Sequence, residues 1–396
     1  MASEKTLVIV LGETRAHELS FDNFKKNVID ELDADLCICI GANKDYDYNN
    51  PFYQLAKYRF IYDEPDDYAD AFDYAYSILS NGRNKYEMMD GVDLWSTVAN
   101  NARYSSNIKS YGEFRNDLNI NHFDDEMLAI IPITQRLGIF RPENIMKLQL
   151  FGINGIDIDK YNPVRNENTV SLKKPIPWRE FLKIKDQFMG GIKDDKHQHD
   201  GSAGILIFYR WFLLHHLTIN GLIDKYDRFV ITRSDFRYQL PHPKMSLLDK
   251  KYMWIPDGEY HGGLTDRHVV LTPQNIVPYL NILNNMVLRS NEYFMNMKSR
   301  TDWNLERLIK FHLIRNNVFE QVRHFPYVMY SVRNVNGTTR WATGLYLEDL
   351  GYYIKYIDEY VSALMYRYKQ SRSSLSIDDF YRIIIERNYI NKSSIA

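Results

Sequence analysis

The chain has 396 residues, 45% apolar and 25% charged, with a formal net charge of −2. That length and balance fit a soluble globular protein of one large or two ordinary domains with an ample core. The near-neutral charge excludes an overall basic field that would draw the chain to nucleic acid or anionic lipid.

The apolar run Leu7 to Leu11 is too short for a secretory leader. It reads instead, from Thr6 onward, as a buried central parallel strand that runs into Gly12-Glu13-Thr14-Arg15. Ser20 or Asp22 is placed to cap a helix over Phe24 to Leu32, with Phe24, Val28 and Leu32 on one face. Ala34 to Ile40 is the second strand, ended by Gly41-Ala42-Asn43, so the chain opens β-α-β with a right-handed crossover. Cys37 and Cys39 on that strand are too close in sequence to staple a fold and read as buried small hydrophobes of a reducing compartment. A tyrosine-rich loop (46–51), a short strand (56–62) and a helix opened by Asp66-Asp67 follow.

From 81 to 177 the periodicity weakens into Asn-rich pieces, expected to be an inserted irregular or helical segment whose role the residues do not show. The pattern resumes at Trp178, with Gly190-Gly191 and a charged loop, Lys193 to Asp200, that reads as a solvated lid. His197 and His199 in that loop lack the partners at suitable spacing that zinc needs. Ile205 to Leu217 is apolar but broken by Arg210, His215 and His216. It falls short of the ~20 residues of a bilayer span and reads as a buried helix. Phe229-Val230-Ile231 is a second central strand, giving way abruptly to Thr232-Arg233-Ser234-Asp235. Met253 to Pro256, the glycine-bearing turn Asp257 to Arg267, and a strand His268 to Leu271 come next. Helices are expected from Pro273 to about Leu288 and from Trp303 to Ile314, a strand over Phe325 to Val332, and a helical tail from Leu350 with a disordered end at Asn391 to Ala396. The expected fold is α/β: a Rossmann-like, mostly parallel sheet flanked by helices. Its first part is 1–80, the insertion 81–177, the remainder 178–345, and a helical extension 346–396. With no leader and no bilayer-length segment, a soluble cytoplasmic protein is expected.

Three charged clusters fall at strand ends: Gly12 to Arg15, Arg233 to Asp235, and Asp257 to Arg267. In an open parallel sheet they face one crevice. Such a crevice suits transfer from a nucleotide diphosphate, where cations neutralise the leaving diphosphate and a carboxylate takes the acceptor's proton. The lysine-bearing P-loop and the G-x-G-x-x-G fingerprint are both absent, which argues against a P-loop kinase and a dehydrogenase. Asp235 is a candidate ligand for a divalent metal or a donor ribose, against the alternative of a turn carboxylate. Arg15 meets a nucleotide or diphosphate, or else a surface acid. Arg210, inside an apolar helix, needs a partner, either a ligand phosphate or a buried acid such as Asp235. Asp266 is the candidate base, with Glu259 its rival and a salt bridge to Arg267 the structural alternative. Trp254, Tyr260 and Trp341 are rings that can stack on a sugar or fill the core.

The opening Val10-Leu11-Gly12-Glu13-Thr14-Arg15, the Gly190-Gly191 loop, Arg233-Ser234-Asp235-Phe236 and Gly262-Gly263-Leu264-Thr265-Asp266-Arg267 resemble a family of GT-A-type glycosyltransferases. That family is found in large DNA viruses of algae and in some bacteria and algae. The resemblance covers roughly residues 5–80 and 178–345. It implies a GT-A-like fold, a UDP- or GDP-sugar donor bound by Gly12, Arg15, Arg210, Arg233 and Asp235, a glycan acceptor, and Mn²⁺ or Mg²⁺ on an Asp-x-Asp motif. Here Arg233 replaces the first Asp, leaving Asp235, and His324 is the late histidine the family brings to the metal or diphosphate. Inversion with Asp266 as base is the expected course. The alternatives are a sugar-phosphate nucleotidyltransferase, or a non-catalytic glycan-binding or scaffold protein.

Overall fold

A computed structural model describes residues 4–65, 67–81, 183–184, 187–188, 202–288, 293, 304–334 and 344–393. The Gly190-Gly191 loop, the Lys193 to Asp200 loop, Trp341 and residues 82–177 of the expected insertion lie outside the described residues. The chain forms two compact units, one of Met1–Asp66, Ile205–Ile282 and Asn304–Ala396, the other of Asp67–Gly204 and Leu283–Trp303.

The first unit opens with β1 (Thr6–Gly12), α1 (His17–Phe24), β2 (Asp35–Ala42), α2 (Pro51–Leu55) and β3 (Tyr58–Asp63). The first helix starts earlier than its periodicity suggests. Ala16 turns the chain in a left-handed conformation (φ 49°), and the Ser20 hydroxyl bonds the Ala16 carbonyl instead of capping a later start. The expected helical face from Phe24 is carried on by a π-turn, Lys25–Ile29. The second unit contributes α3 (Tyr68–Asn81) and an antiparallel pair, β4 (Lys183–Ile184) with β5 (Gln187–Phe188).

The chain continues through α4 (Ala203–Ile219), β6 (Arg228–Thr232), β7 (Phe236–Tyr238), β8 (Met253–Pro256), β9 (Val269–Leu271), α5 (Pro273–Leu280) and α6 (Ile282–Leu288). It then runs through α7 (Leu305–Arg315), β10 (Val322–Phe325), β11 (Met329–Arg333), β12 (Leu345–Leu347), β13 (Tyr352–Ile354), α8 (Ile357–Ser371) and α9 (Ile377–Ser393). Two expectations are corrected. The alternating stretch Phe325 to Val332 is two strands, not one, and the tail from Leu350 begins with β13, not a helix. The last helix also reaches Ser393, into the stretch expected to be disordered. Among the described residues no helix is long and apolar enough to cross a membrane.

Among the described residues the main sheet has seven strands in the order β10-β8-β9-β6-β1-β2-β3. All neighbours run parallel except β9, which is antiparallel to both β6 and β8. The reason is visible in the chain: β1 and β6 are unbroken apolar runs buried on both faces, as a central parallel strand must be. One face carries Val8, Val10, Ile38 and Val230 against Phe24 of α1, Phe52 of α2 and Phe380 of α9. On the other face α4 lies over β2 and β3, where Cys39 meets the Tyr209 carbonyl and Phe60 stacks on His216 at 4.7 Å. Both cysteines are free and buried, and burial pushes their thiols upward. A second sheet, β12-β13-β11-β7, is antiparallel throughout.

The strand order fixes where chemistry belongs. From β1 the chain steps outward to β2 and β3, then returns through α4 to β6 on β1's other side. The carboxyl ends of β1 and β6 therefore flank a topological switch point, the place where open α/β sheets bind ligands. Because β9 runs backwards, the residues entering it reach the same edge as the residues leaving β6 and β8.

Candidate active site

The three clusters meet at this edge. Ser234, just past β6, donates from its hydroxyl to the Glu13 and Arg15 carbonyls just past β1 (2.8 and 3.2 Å). Arg210 on α4 donates to the Asp266 carbonyl at 3.1 Å and to Leu206 at 3.2 Å. Arg210 is 1% exposed, so an unpaired charge there would cost several kcal/mol. Its partner is the backbone of Asp266 and not the Asp235 carboxylate, which corrects the expected pairing. Arg210 positions the turn that carries Asp266; no contact with a donor phosphate follows from its place.

Asp235 is 2% exposed and fully engaged. Arg233 binds it with both prongs, Nε to Oδ1 at 2.9 Å and Nη2 to Oδ2 at 2.7 Å, and Arg333 bonds Oδ2 from the other side. Strand pairing sets this up, because the Val332 amide at the end of β11 bonds the Asp235 carbonyl at 2.8 Å. Burial opposes the carboxylate's charge, but Arg233 and Arg333 overcome that and hold it far below the usual range. Lys355 arrives from β13, its backbone amide on the Ser331 carbonyl at 2.9 Å. It is 7% exposed, with its ammonium 4.8 Å from the Tyr356 ring centre. Burial first, then Arg233 and Arg333, push it down to about 7. Around one carboxylate the fold thus gathers three cations.

The Asp257–Arg267 turn is held rigidly. Glu259 and His261 both sit at positive φ (54° and 41°), strain that persists because the surroundings over-determine it. Arg267 bonds Glu259 at 2.9 Å and Glu359 of α8, with the Tyr356 ring 4.2 Å away. Glu359 also accepts from the Tyr327 hydroxyl (2.9 Å) and the Ser331 amide (2.7 Å). Glu259 is therefore committed to Arg267 and to His261 at 3.0 Å, which weakens it as a rival base. Asp266 keeps only a 3.9 Å approach to Arg267.

Beside it stands Glu306, in the first turn of α7. Its carbonyl accepts from the Leu264 amide at 3.1 Å, and a Cβ on Gly263 would overlap that same carbonyl. Only glycine allows the turn to pass this close to the helix. A helix amino end favours an acid in its charged form, yet here burial and the neighbouring Asp266 win and push the Glu306 carboxyl up to about 7. Glu306, raised in this way, stands beside the Asp266 carboxylate.

Next to the cation cluster, past β1 and β2, lies a polar cleft of about 310 Å³ lined by Thr14, Arg15, His17, Asn43, Tyr46 and Glu64 among others. Asn50 bonds Thr14 Oγ1 at 2.8 Å and Thr14 meets the Tyr46 hydroxyl at 3.0 Å, fixing its floor. Arg15 is half-exposed, paired with Glu13, and lies within electrostatic reach of Arg233 and Asp235. Gly12 turns the chain here at φ 107°.

His324 does not join this group. It lies on β10, its Nδ1 3.2 Å from the hydroxyl of Tyr260, which in turn bonds Asp257. Three strand spacings separate β10 from β6, roughly 14 Å. With both Asp235 oxygens on guanidinium groups, and no cluster of three or more His, Cys, Asp or Glu side chains suited to a metal among the described residues, the donor set does not fit the implied divalent cation. Trp254 is buried and donates to the Asp249 carbonyl at 3.0 Å, as a core residue does. Arg333, Lys355, Glu359 and Glu306 were not legible as site residues; the one signal was a charge set between apolar neighbours at Val332-Arg333 and Ile354-Lys355-Tyr356. Comparison with protein-family models, curated proteins and solved structures gave no match.

Proposed function

We propose that the chain is a glycosyltransferase moving a sugar from a UDP- or GDP-sugar to a hydroxyl of a glycan. The observation that carries this reading is the cation cluster of Arg233, Arg333 and Lys355 set beside the Asp266–Glu306 pair at the switch-point edge of the sheet. The polar cleft at Arg15 is of a size with small-ligand sites and suits the nucleoside. The acceptor oxygen forms its bond to the anomeric carbon as the bond from that carbon to the donor phosphate oxygen breaks. The electron pair leaves with the nucleoside diphosphate, whose added charge the cluster stabilises, and the hydroxyl proton passes to the carboxylate pair. In-line attack of this kind inverts the anomeric centre. No step runs through a divalent cation.

The test is release of nucleoside diphosphate from a panel of UDP- and GDP-sugars. Asp266→Asn and Glu306→Gln are each expected to lower turnover by about 10²-fold or more, the usual yield of a positioned base. A base must be deprotonated to act, and Glu306 is raised to about 7 by burial and Asp266, so turnover should fall as pH drops below about 7. Unchanged turnover in both variants would remove the pair from the chemistry.

A further inference from the structure

The proposed reaction needs positive charge beside its leaving group, and the implied source of that charge, a cation on Asp235, has no donor set among the described residues. The chain supplies charge of its own in the same place. Arg333 is 4% exposed and its Nη1 serves Asp235 and the Val332 carbonyl. Its Nη2 is buried without a hydrogen-bond partner among the described residues. A guanidinium nitrogen left this way costs the full desolvation penalty of a charged donor. Lys355 has no ion-pair partner among the described residues, and the tool of its neutralisation is proton loss, not pairing. Arg233 is one-quarter exposed at its side chain, so the cluster is reachable from solvent. Three cations around one carboxylate, two of them with unused donors, are complementary to an anion of at least two charges with several acceptor oxygens.

We infer that Arg233, Arg333 and Lys355 form a metal-independent binding site for the diphosphate of the donor. This rests on the glycosyl-transfer reading above. Asp235 is then a positioning residue that aims two guanidinium forks. Lys355 is the adjustable member: largely neutral above pH 7 in the free protein, it gains a proton when the dianion arrives and reverses the repulsion from its arginine neighbours.

The experiment is titration calorimetry of the full chain with inorganic pyrophosphate, UDP and GDP in excess EDTA at pH 8, in buffers of different ionisation enthalpy. Wild type is expected to bind with uptake of roughly one proton. Lys355→Met should weaken binding about 10- to 100-fold, the range for a charged hydrogen bond, and abolish proton uptake. Because the folded chain holds Lys355 largely neutral at pH 8, whereas the unfolded chain leaves it charged and solvated, Lys355→Met should raise the melting temperature of the free protein, which separates lost binding from lost folding. Lys355→Arg should keep binding but lose the proton uptake. Binding that appears only when Mn²⁺ replaces EDTA, or that Lys355→Met leaves unchanged, overturns the inference. The two readings fail separately. Turnover of a nucleotide sugar that requires Mn²⁺ sinks this inference alone, whereas pyrophosphate binding in EDTA with no nucleotide sugar turned over sinks the transferase reading alone.

Discussion

Asp235→Asn is expected to destabilise the chain by about 3–5 kcal/mol, the cost of removing one partner from a buried ion pair, and to lower the melting temperature on the order of 5–10 °C. The shape of the side chain is kept, so the loss isolates charge. Arg233, Arg333 and Lys355 would then face one another without the carboxylate that both arginines bond. Mutual repulsion at close range in a poorly solvated place is worth several kcal/mol, more than the loss of a neutral hydrogen bond. Millimolar pyrophosphate should recover part of the stability, because it supplies negative charge to the same donors. A variant that melts with wild type would show that solvent already screens the cluster.

The second large effect is acid lability centred on His242 and His268. The two rings meet at 3.2 Å through their Nε2 atoms. His242 Nδ1 lies 2.7 Å from the Pro243 carbonyl and so must donate, which makes its Nε2 an acceptor. His268 then donates from Nε2, and its Nδ1 accepts from the Thr232 hydroxyl at 2.9 Å. This arrangement holds with both rings neutral, and both are buried. Burial pushes His242 down to about 4, and burial with the neighbouring His242 pushes His268 well below its ordinary value. In the unfolded chain both titrate near 6.5, so the unfolded state binds more protons below that pH. Stability is therefore whole above about 6.5 and falls as pH drops toward about 4. Urea unfolding at pH 7 and pH 5 measures it, and His242→Gln should reduce the dependence. Equal stability at the two pH values would mean that the rings charge freely in the fold. The consequence reaches the site, because Thr232 is the residue before Arg233.

The parts of the fold that were legible share one cause. Leu7 to Leu11 and Phe229 to Ile231 are apolar runs that only a doubly covered parallel strand uses well, and the polar residues that follow each mark the edge where ligands sit. Arg15, Asp235 and Asp266 could be placed at one rim from that alone. The rest of the site is written in residues whose meaning comes from tertiary pairing. Arg333 ends, and Lys355 directly follows, short antiparallel strands with no long apolar signature. What brings them to Asp235 is the register of β7, β11 and β13, which a single sequence does not display. Glu306 looks like an ordinary acid in the first turn of a helix; it becomes a tuned carboxyl only because Gly262-Gly263 lets a distant turn press against that helix. His324 shows the complementary limit. Its sequence position matched a late histidine, but strand order sets it beside Tyr260 and Asp257, across β8 and β9 from β6.

The most direct test is thermal unfolding of the full chain against a panel of UDP- and GDP-sugars, since a ligand that binds only the folded state at 100 times its Kd adds about 2.7 kcal/mol. At least one nucleotide sugar should raise the melting temperature of wild type by several degrees and that of Arg233→Gln far less. A panel that moves neither protein, or moves both equally, would contradict a donor held at the ends of β1 and β6.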